Sequence, residues 1–243
     1  MPQTSITLSP IEKKRFGYST ARAYIKSKAD LPIVNEFCTK ENIKLLILRC
    51  ETNQINLIHA LEKESFSLMD TLLYYKYTLP GKHDLSKNEN ISTINLKDEM
   101  RILEITRTAF TGYISHYHAD PRLDIEKSNE AYLDWASRSC RKEIADEVLV
   151  ARKDTKVNGF LTLRKNSPSQ VEGPFFAISP EAQGQGHGKD LMKAAFQWTS
   201  DQGAKEFIIS TQITNMASQN LWAGLGMKLY RALYTFHKWF DEA

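Results

Sequence analysis

"AISPEAQGQGHGKDLMKAAF", Ala177 to Phe196, closes an apolar stretch, sets glycines at 184, 186 and 188, and runs on with helical spacing. Leu191, Met192, Ala195 and Phe196 recur as one face of an amphipathic helix. A strand, a glycine-rich turn and a helix make a construction for holding an anion. The first turn of a helix carries unpaired N–H groups and the positive end of the macrodipole. Glycine lets a phosphate approach that backbone and permits dihedrals closed to other residues. A P-loop is excluded, because Gly188-Lys189 is followed by Asp190 and position 183 is Gln. A dinucleotide fingerprint is excluded by the glycine spacing and by the late position of the element.

The pattern Ile178, Ser179, Pro180, then Gln183, Gly186 and Gly188, resembles the acyl-CoA-binding motif of the GNAT superfamily of N-acetyltransferases. A second stretch, "IISTQITNMASQNLWAGLGM", is similar to that family's next segment through Asn215, Ser218, Leu221, Gly226 and Met227. The resemblance implies an α/β (α+β) fold, a mixed and mostly antiparallel sheet flanked by helices. It implies acyl-CoA as co-substrate and no metal. Backbone N–H groups from about Gln185 to Lys189, with Gln183, Gly184, Gly186, His187 and Gly188 in the turn, would cradle the CoA pyrophosphate. The strand Phe175 to Ser179, with Phe176, Ala177 and Ile178, would splay from its neighbour and pair with the pantetheine amides. Asn215 and Ser218 would lie beside the pantetheine arm.

Acyl transfer from a thioester to an amine requires loss of the amine proton, donors for the oxyanion and departure of the thiolate. Many family members protonate the sulfur with a tyrosine one residue after the leucine. This chain has Trp222 there, and an indole N–H donates a hydrogen bond without giving up its proton. Glu172, on the strand leading to the CoA site, is a candidate base.

"GYISHYHADPRLD" gathers Tyr113, His116, Tyr117, His118, Asp120 and Arg122 in a region that commonly lines the acceptor site in this superfamily. Histidines titrate near neutrality, so His116 and His118 are further candidate bases. Tyr113, Tyr117 and Arg122 suit a sugar nucleotide, by stacking and by bidentate phosphate binding. A zinc site at the two histidines is disfavoured, since no cysteine or third histidine lies nearby at ligand spacing. This loop, followed by a helix with Tyr132 and Trp135, resembles enzymes of the TDP-fucosamine acetyltransferase type, as does the layout of an incomplete half before an active one. The resemblance implies a dTDP-linked amino-deoxy sugar as acceptor, an acetyl or larger acyl group such as 3-hydroxybutanoyl, and a product for lipopolysaccharide or capsule assembly. The alternatives are an N-acetyltransferase for a protein N-terminus or small amine, and a non-catalytic acyl-CoA-binding module.

The 243 residues allow one large or two small domains, and 42% hydrophobic with 25% charged residues describe an ordinary globular chain. A net charge of +3 with interspersed signs gives no case for nucleic acid. No apolar run reaches the roughly 20 residues of a membrane span. Cys38, Cys50 and Cys140 are scattered, which fits reduced thiols and a cytoplasmic protein. A homodimer is left open. The expected domains are residues 1–85, an incomplete GNAT-like half, and residues 91–243, the catalytic domain, linked through "PGKHDLSKNEN". Residues 1–14 read as a loose leader, Phe16–Ile25 and Val171–Ser179 as strands, Asp30 and Asn53 as helix caps, and Asn95 with Asp98 as a capping box. A shift of 161 residues lays Leu46, Ile47 and Leu48 on Phe207, Ile208 and Ile209, and Phe66 on Met227, which predicts a structural repeat.

Overall fold

The computed structural model describes residues 3–80 and 88–240. The expected link at 80–90 lies mostly outside the described residues. In chain order the elements are β1 (Ser5–Leu8), α1 (Pro10–Phe16), β2 (Thr20–Tyr24), α2 (Leu31–Lys40), β3 (Leu45–Glu51), α3 (Ile55–Lys63) and β4 (Ser67–Thr78). Then come β5 (Ile91–Thr93), α4 (Glu99–Ala109), α5 (Ile125–Cys140), β6 (Glu147–Lys153), β7 (Lys156–Ser167), β8 (Gln170–Gly173) and β9 (Phe176–Ile178). The last four are α6 (His187–Asp201), β10 (Glu206–Gln212), α7 (Met216–Gly224) and β11 (Lys228–Trp239). The mixed α/β class expected from the sequence is the class observed.

The chain forms two compact units, which interleave along the sequence. One comprises Met1–Leu73, Ile114–Ser128 and Arg231–Ala243, the other Tyr74–Tyr113 and Asn129–Tyr230. A linear cut at 85–91 therefore does not describe the packing. The reason is strand pairing: from Leu233 to Trp239, β11 runs antiparallel to β3.

The first unit holds a sheet in the order β1-β2-β3-β11, with β2 and β3 parallel. One face of it is a closed apolar core. Leu46, Leu48 and Phe236 from the strands meet Val34 and Cys38 of α2 and Leu57 and Leu61 of α3. From residue 3 on, the expected leader is ordered, contrary to expectation. Pro10 occupies the first turn of α1, where its missing N–H costs nothing; Glu12 and Phe16 are buried, and Gly17 closes the helix at φ +86°. The strand expected from Phe16 accordingly starts only at Thr20. Asp30 does not cap α2 with its side chain. It closes a capping box with Ser27 around the preceding 3-10 turn. Gln54, not Asn53, stands at the start of α3. The box expected from Asn95 and Asp98 is formed, with Asp98 Oδ2 accepting from Asn95 N–H at 2.7 Å.

The second unit holds β4-β10-β8-β7-β6-β5 in order, with β9 on β7. Helix α6 packs on β6, β7 and β10 through Leu191, Met192, Ala195 and Phe196, and α4 packs on β7 and β9. The stretch expected as one strand over Val171–Ser179 is broken at Gly173-Pro174-Phe175. Residues 170–173 pair with both β7 and β10, and residues 176–178 with β7. The three cysteines are free and buried, and burial pushes their thiols up to about 11 (Cys38), 12 (Cys50) and 12 (Cys140). No described helix is long and apolar enough to cross a membrane.

Close approach of β7 to β9 depends on Gly159. A Cβ there would overlap the Ile178 side chain and lie 2.9 Å from the Ala177 carbonyl oxygen. Gly159→Ala is expected to destabilise the fold by about 1–3 kcal/mol in urea titrations. Gly224→Ala, where a Cβ meets open space at the end of α7, is the control and is expected to be neutral or slightly stabilising.

Candidate functional site

In the second unit, β10 runs parallel to β8 from Glu206↔Gln170 to Ile209↔Gly173, and the register stops there. Beyond it, β9 pairs with β7 through one edge. Among the described residues, the other edge of β9 and the Ser210–Gln212 end of β10 carry no mutual pairing. This is the splay that the sequence motif requires, and it leaves backbone N–H and C=O groups open to an amide-bearing ligand.

The turn that follows β9 delivers the chain into α6 through two left-handed residues, Gly184 at φ +75° and Gly186 at φ +89°. A β-branched residue at either position would be strained. The first intrahelical bond is Asp190 N–H to Gly186 O at 3.1 Å, so the N–H groups of His187, Gly188 and Lys189 precede the ladder. No side chain caps this end. Gly188 is there for another reason. A Cβ on it would sit 3.1 Å from Leu221 Cδ2 and 3.3 Å from Phe176 Cζ, so it lets β9, α6 and α7 converge. Gln183, Gln185 and Lys189 are exposed, and Gln185 Nε2 donates to Glu181 O. The His187 side chain is buried and accepts from Asn158 Nδ2 at 3.4 Å, which leaves its backbone as its contribution to the turn. Arg101 of α4 braces the turn, donating to Val157 O at 3.0 Å, Ser179 Oγ at 3.4 Å and Glu181 Oε1 at 2.7 Å. Asn215 caps α7: its Oδ1 accepts from Ser218 N–H at 3.2 Å and its Nδ2 donates to Thr211 Oγ1 at 2.9 Å.

Two candidate catalytic groups sit in settings that narrow their roles. Glu172 accepts from Arg164 at 2.7 Å and from Asn166 at 3.1 Å, so its carboxylate is committed to the β7–β8 hairpin and is not a free base. Trp222 is 1% exposed, edge-on to Tyr75 at 5.5 Å, and its indole N–H has no partner among the described residues.

The expected acceptor residues divide between the units. In the second unit Tyr113, Tyr132 and Trp135 join an aromatic cluster. Tyr132 stacks on Phe110 at 4.6 Å, Tyr113 meets Phe110 edge-on, and Trp135, 39% exposed, stacks on Phe175 at 5.5 Å and 10°. Phe175 lies in the break directly before β9. The sequence reading placed Phe175 at the start of the splayed strand and missed its part in the aromatic cluster, although an aromatic after Gly-Pro at the motif's edge was a usable signal.

In the first unit the Ile114–Ser128 loop is fastened by two buried carboxylates. Glu12 Oε1 accepts from Tyr117 Oη at 2.6 Å and from Arg22. Burial favours a protonated Glu12, but the charge of Arg22 and the bonds from Arg22 and Tyr117 outweigh it and hold its pKa below the usual range. Burial pushes the Tyr117 phenol up to about 12. Tyr117 is thus a structural anchor and is removed from the expected acceptor-binding residues. Asp120 Oδ2 is 2.6 Å from His237 Nδ1 and 2.9 Å from Trp239 Nε1. Burial acts to raise the Asp120 pKa, while bonds from His237, the Arg122 backbone and Trp239 bring it below its ordinary value. His116 Nδ1 lies 3.0 Å from His237 Nε2. Burial, then the neighbouring charges of His237, Arg49, Arg22 and His118, drive the His116 pKa well down. Ser115 Oγ is 2.9 Å from His118 Nδ1, and the Arg122 guanidinium lies 4.1 Å over the Trp239 ring. His237 and Trp239 were not found from the sequence; Thr235 and His237 alternating with the aromatics Tyr234 and Phe236 was the available signal.

The model of the acetyltransferase (GNAT) family matches residues 101–227, just over half of the chain. The chain belongs to this family. Its matched domain is of the acyl-CoA-dependent N-acyltransferase class. A curated relative, the spore coat polysaccharide biosynthesis protein SpsD of Bacillus subtilis, is 24% identical over 143 residues, which cover 58% of this chain and 48% of the relative. The alignment thus spans about half of that relative's length. A conserved protein of unknown function from Staphylococcus epidermidis superposes with a TM-score of 0.66 at 15% identity, over 98% of this chain and 92% of its own. A GCN5-related N-acetyltransferase from Sphaerobacter thermophilus superposes with a TM-score of 0.65 at 11% identity, over 99% and 78%.

Two outcomes follow from this geometry. Gly186→Val forces a β-branched residue to φ +89° at the uncapped end of α6, and is expected to weaken CoA binding at least tenfold by calorimetry while circular dichroism stays native. The buried first-unit groups make stability fall on the acid side. His116 has a folded pKa below its unfolded value of about 6.5, so the unfolded chain binds the extra proton and stability drops as pH falls below about 6.5. Glu12 and Asp120 are also depressed, so their contribution is complete above about 4.5 and is lost as pH falls through their folded values. Urea midpoints between pH 8 and 4 should show both limbs, and His116→Gln should flatten the upper one.

Proposed function

We propose that this chain transfers an acyl group from acyl-CoA to the amine of a nucleotide-linked amino-deoxy sugar. The observation that carries the acyl-CoA half is the uncapped α6 terminus, reached through two left-handed glycines, beside the open edge of β9. Backbone donors there match a pyrophosphate, and the open edge matches the two amides of a pantetheine arm.

Three features support the sugar half. Trp135 offers a partly exposed ring stacked on Phe175, next to β9, a surface for a base or sugar face. The first unit, taken by itself, carries His116 and Arg122 in its 114–128 loop, a nitrogen base and a cation of the kind that suits a sugar diphosphate. The relative named for spore coat polysaccharide biosynthesis points to glycan chemistry. A dTDP-linked dideoxy sugar, and a product used in envelope or capsule glycans inside the cytoplasm, follow on this reading.

In the reaction the acceptor ammonium loses one proton before attack, the free amine attacks the thioester carbonyl, the tetrahedral intermediate expels the CoA thiolate, and the second N–H proton of the new amide passes to that thiolate. A thiol titrates near 8.5, so the thiolate leaves with modest help. Trp222 cannot supply a proton, and its unpartnered N–H offers a hydrogen bond only. The same residue favours the second reading, an acyl-CoA-binding module without turnover.

Thiol release from acetyl-CoA and 3-hydroxybutanoyl-CoA separates these readings. It is to be measured with dTDP-linked 3-amino and 4-amino dideoxyhexoses, spermidine and peptide N-termini. Release confined to the sugar nucleotides is expected, with Trp135→Ala raising the acceptor KM about tenfold and leaving the acyl-CoA KM unchanged. Release with spermidine or peptides alone would replace the sugar acceptor. CoA binding without release for any amine would establish the binding module.

A further inference from the structure

Within the second unit, the tip of the β6–β7 hairpin and the segment that enters α4 flank an open basin of about 880 Å³. None of its lining residues belongs to β9 or to the start of α6. Four cations line it, Lys97, Arg101, Arg152 and Lys156, against one carboxylate, Asp98. Two of the four are fully engaged. Arg152 forks onto Asp98, Nη1 to Oδ1 at 3.0 Å and Nη2 to Oδ2 at 2.5 Å, and its Nε donates to Ser92 Oγ. Arg101 divides its donors among Val157 O, Ser179 Oγ, Glu181 and Glu104. The other two are not. Lys156, 59% exposed, reaches Glu181 alone at 3.3 Å and shares that carboxylate with Arg101. The Lys97 ammonium and the Thr155 hydroxyl have no hydrogen-bond partner among the described residues.

The charges therefore do not cancel. Lining and bonded groups together, four cations face three carboxylates, Asp98, Glu104 and Glu181. The acids stay ionised. Bonds from Ser179, then Arg101, hold the Glu181 carboxyl well below the ordinary range. Burial acts to raise the Asp98 pKa, and the bonds from Arg152 and the Asn95 backbone bring it below its ordinary value. A metal cation finds no ligand here, because both Asp98 oxygens are taken and Glu181 already answers two cations. An anion finds two ammonium groups and a hydroxyl.

We propose that this basin binds a phosphate group, with Lys97, Lys156 and the Thr155 hydroxyl as its ligands. Lysine serves phosphate as a point charge, which suits a basin open to solvent. A phosphate monoester carries nearly two charges at neutral pH and outbids the shared Glu181 for Lys156. Arg101 is not disturbed, since its bonds to Val157 O and Ser179 keep the glycine turn in place. The phosphate has two sources. One is the third phosphate of CoA, which rests on the reading that the α6 turn holds the pyrophosphate. The other is a separate phosphorylated small molecule, which needs no part of that reading.

Titration of the labelled protein with inorganic phosphate, at constant ionic strength and pH 7.5, tests the site itself. Amide cross-peaks of Asn95, Lys97, Thr155 and Lys156 are expected to shift saturably. Lys97→Ala/Lys156→Ala, two exposed changes that leave circular dichroism native, should weaken that binding about fivefold or more. Calorimetry with CoA and with dephospho-CoA then names the source. A preference of about fivefold for CoA in the wild type, lost in the double variant, assigns the basin to the phosphate of CoA. Equal affinities, with the phosphate titration retained, assign it to a separate phosphorylated molecule. Absent shifts, or shifts of the same midpoint in the double variant, overturn the proposal. If the wild type binds neither form of CoA, the acyl-CoA reading fails, and the phosphate titration alone then decides the basin.

Discussion

Pro174 has no N–H to offer a ladder, and the strand it interrupts is the one whose continuation has to come free. Up to Gly173 the chain pairs on both edges, with β7 and with β10. A Cβ on Gly173 would lie 2.8 Å from Phe207 Cζ, so the two strands are drawn together until the break. Past it, the backbone re-engages β7 while β10 goes its own way. The β9 edge and the turn into α6 both depend on that divergence. It frees one edge of β9, it lets Phe175 turn into the aromatic cluster, and it leads the chain through Pro180 into the glycine turn. Arg101 then fixes the turn by bonds on both sides of Pro180.

How far the sequence was legible follows from which forces act locally. The glycine turn was readable because its demands are backbone demands, a positive φ at 184 and 186 and an uncapped helix end. The strand–helix order of the second unit was readable because apolar period and capping residues agree, as at Asn95 and Asp98. The leader was misread because its helix is held by burial of Glu12 and Phe16, a tertiary effect that a polar stretch "IEKKRF" does not announce. The loop after α4 was recognised as a concentration of useful side chains, but their roles were not separable. Tyr117 and His116 are adjacent in sequence. One is spent on Glu12, and the other on a histidine 121 residues away. No local pattern distinguishes them.

The predicted repeat proves sharper in structure than in sequence. Displaced by 161 residues, β3, α3 and β4 fall on β10, α7 and β11 with the same first and last residues, and α2 and α6 end in register. Even the left-handed positions correspond, Asn42 with Gly203 and Ser65 with Gly226. The correspondence fails at the turn before α2, where a capping box of Ser27 and Asp30 replaces the glycines. Side-chain oxygens there satisfy backbone donors, whereas the start of α6 has no side-chain cap. Two copies of one scaffold have thus been given opposite answers to the same orphan N–H groups.

The copies have also traded their last strands. β11, the counterpart of β4, pairs with β3 in the first unit, and the latter part of β4 neighbours β10 in the second. Glu51 waits for Leu233, 182 residues downstream. During synthesis, then, the first unit stands with an apolar strand edge at Leu46 and Leu48 unpaired until nearly all of the second has been made. Such an edge is a template for any extended chain that comes by, a sister nascent chain included. The order of translation, rather than the strength of either core, sets when this protein stops being vulnerable.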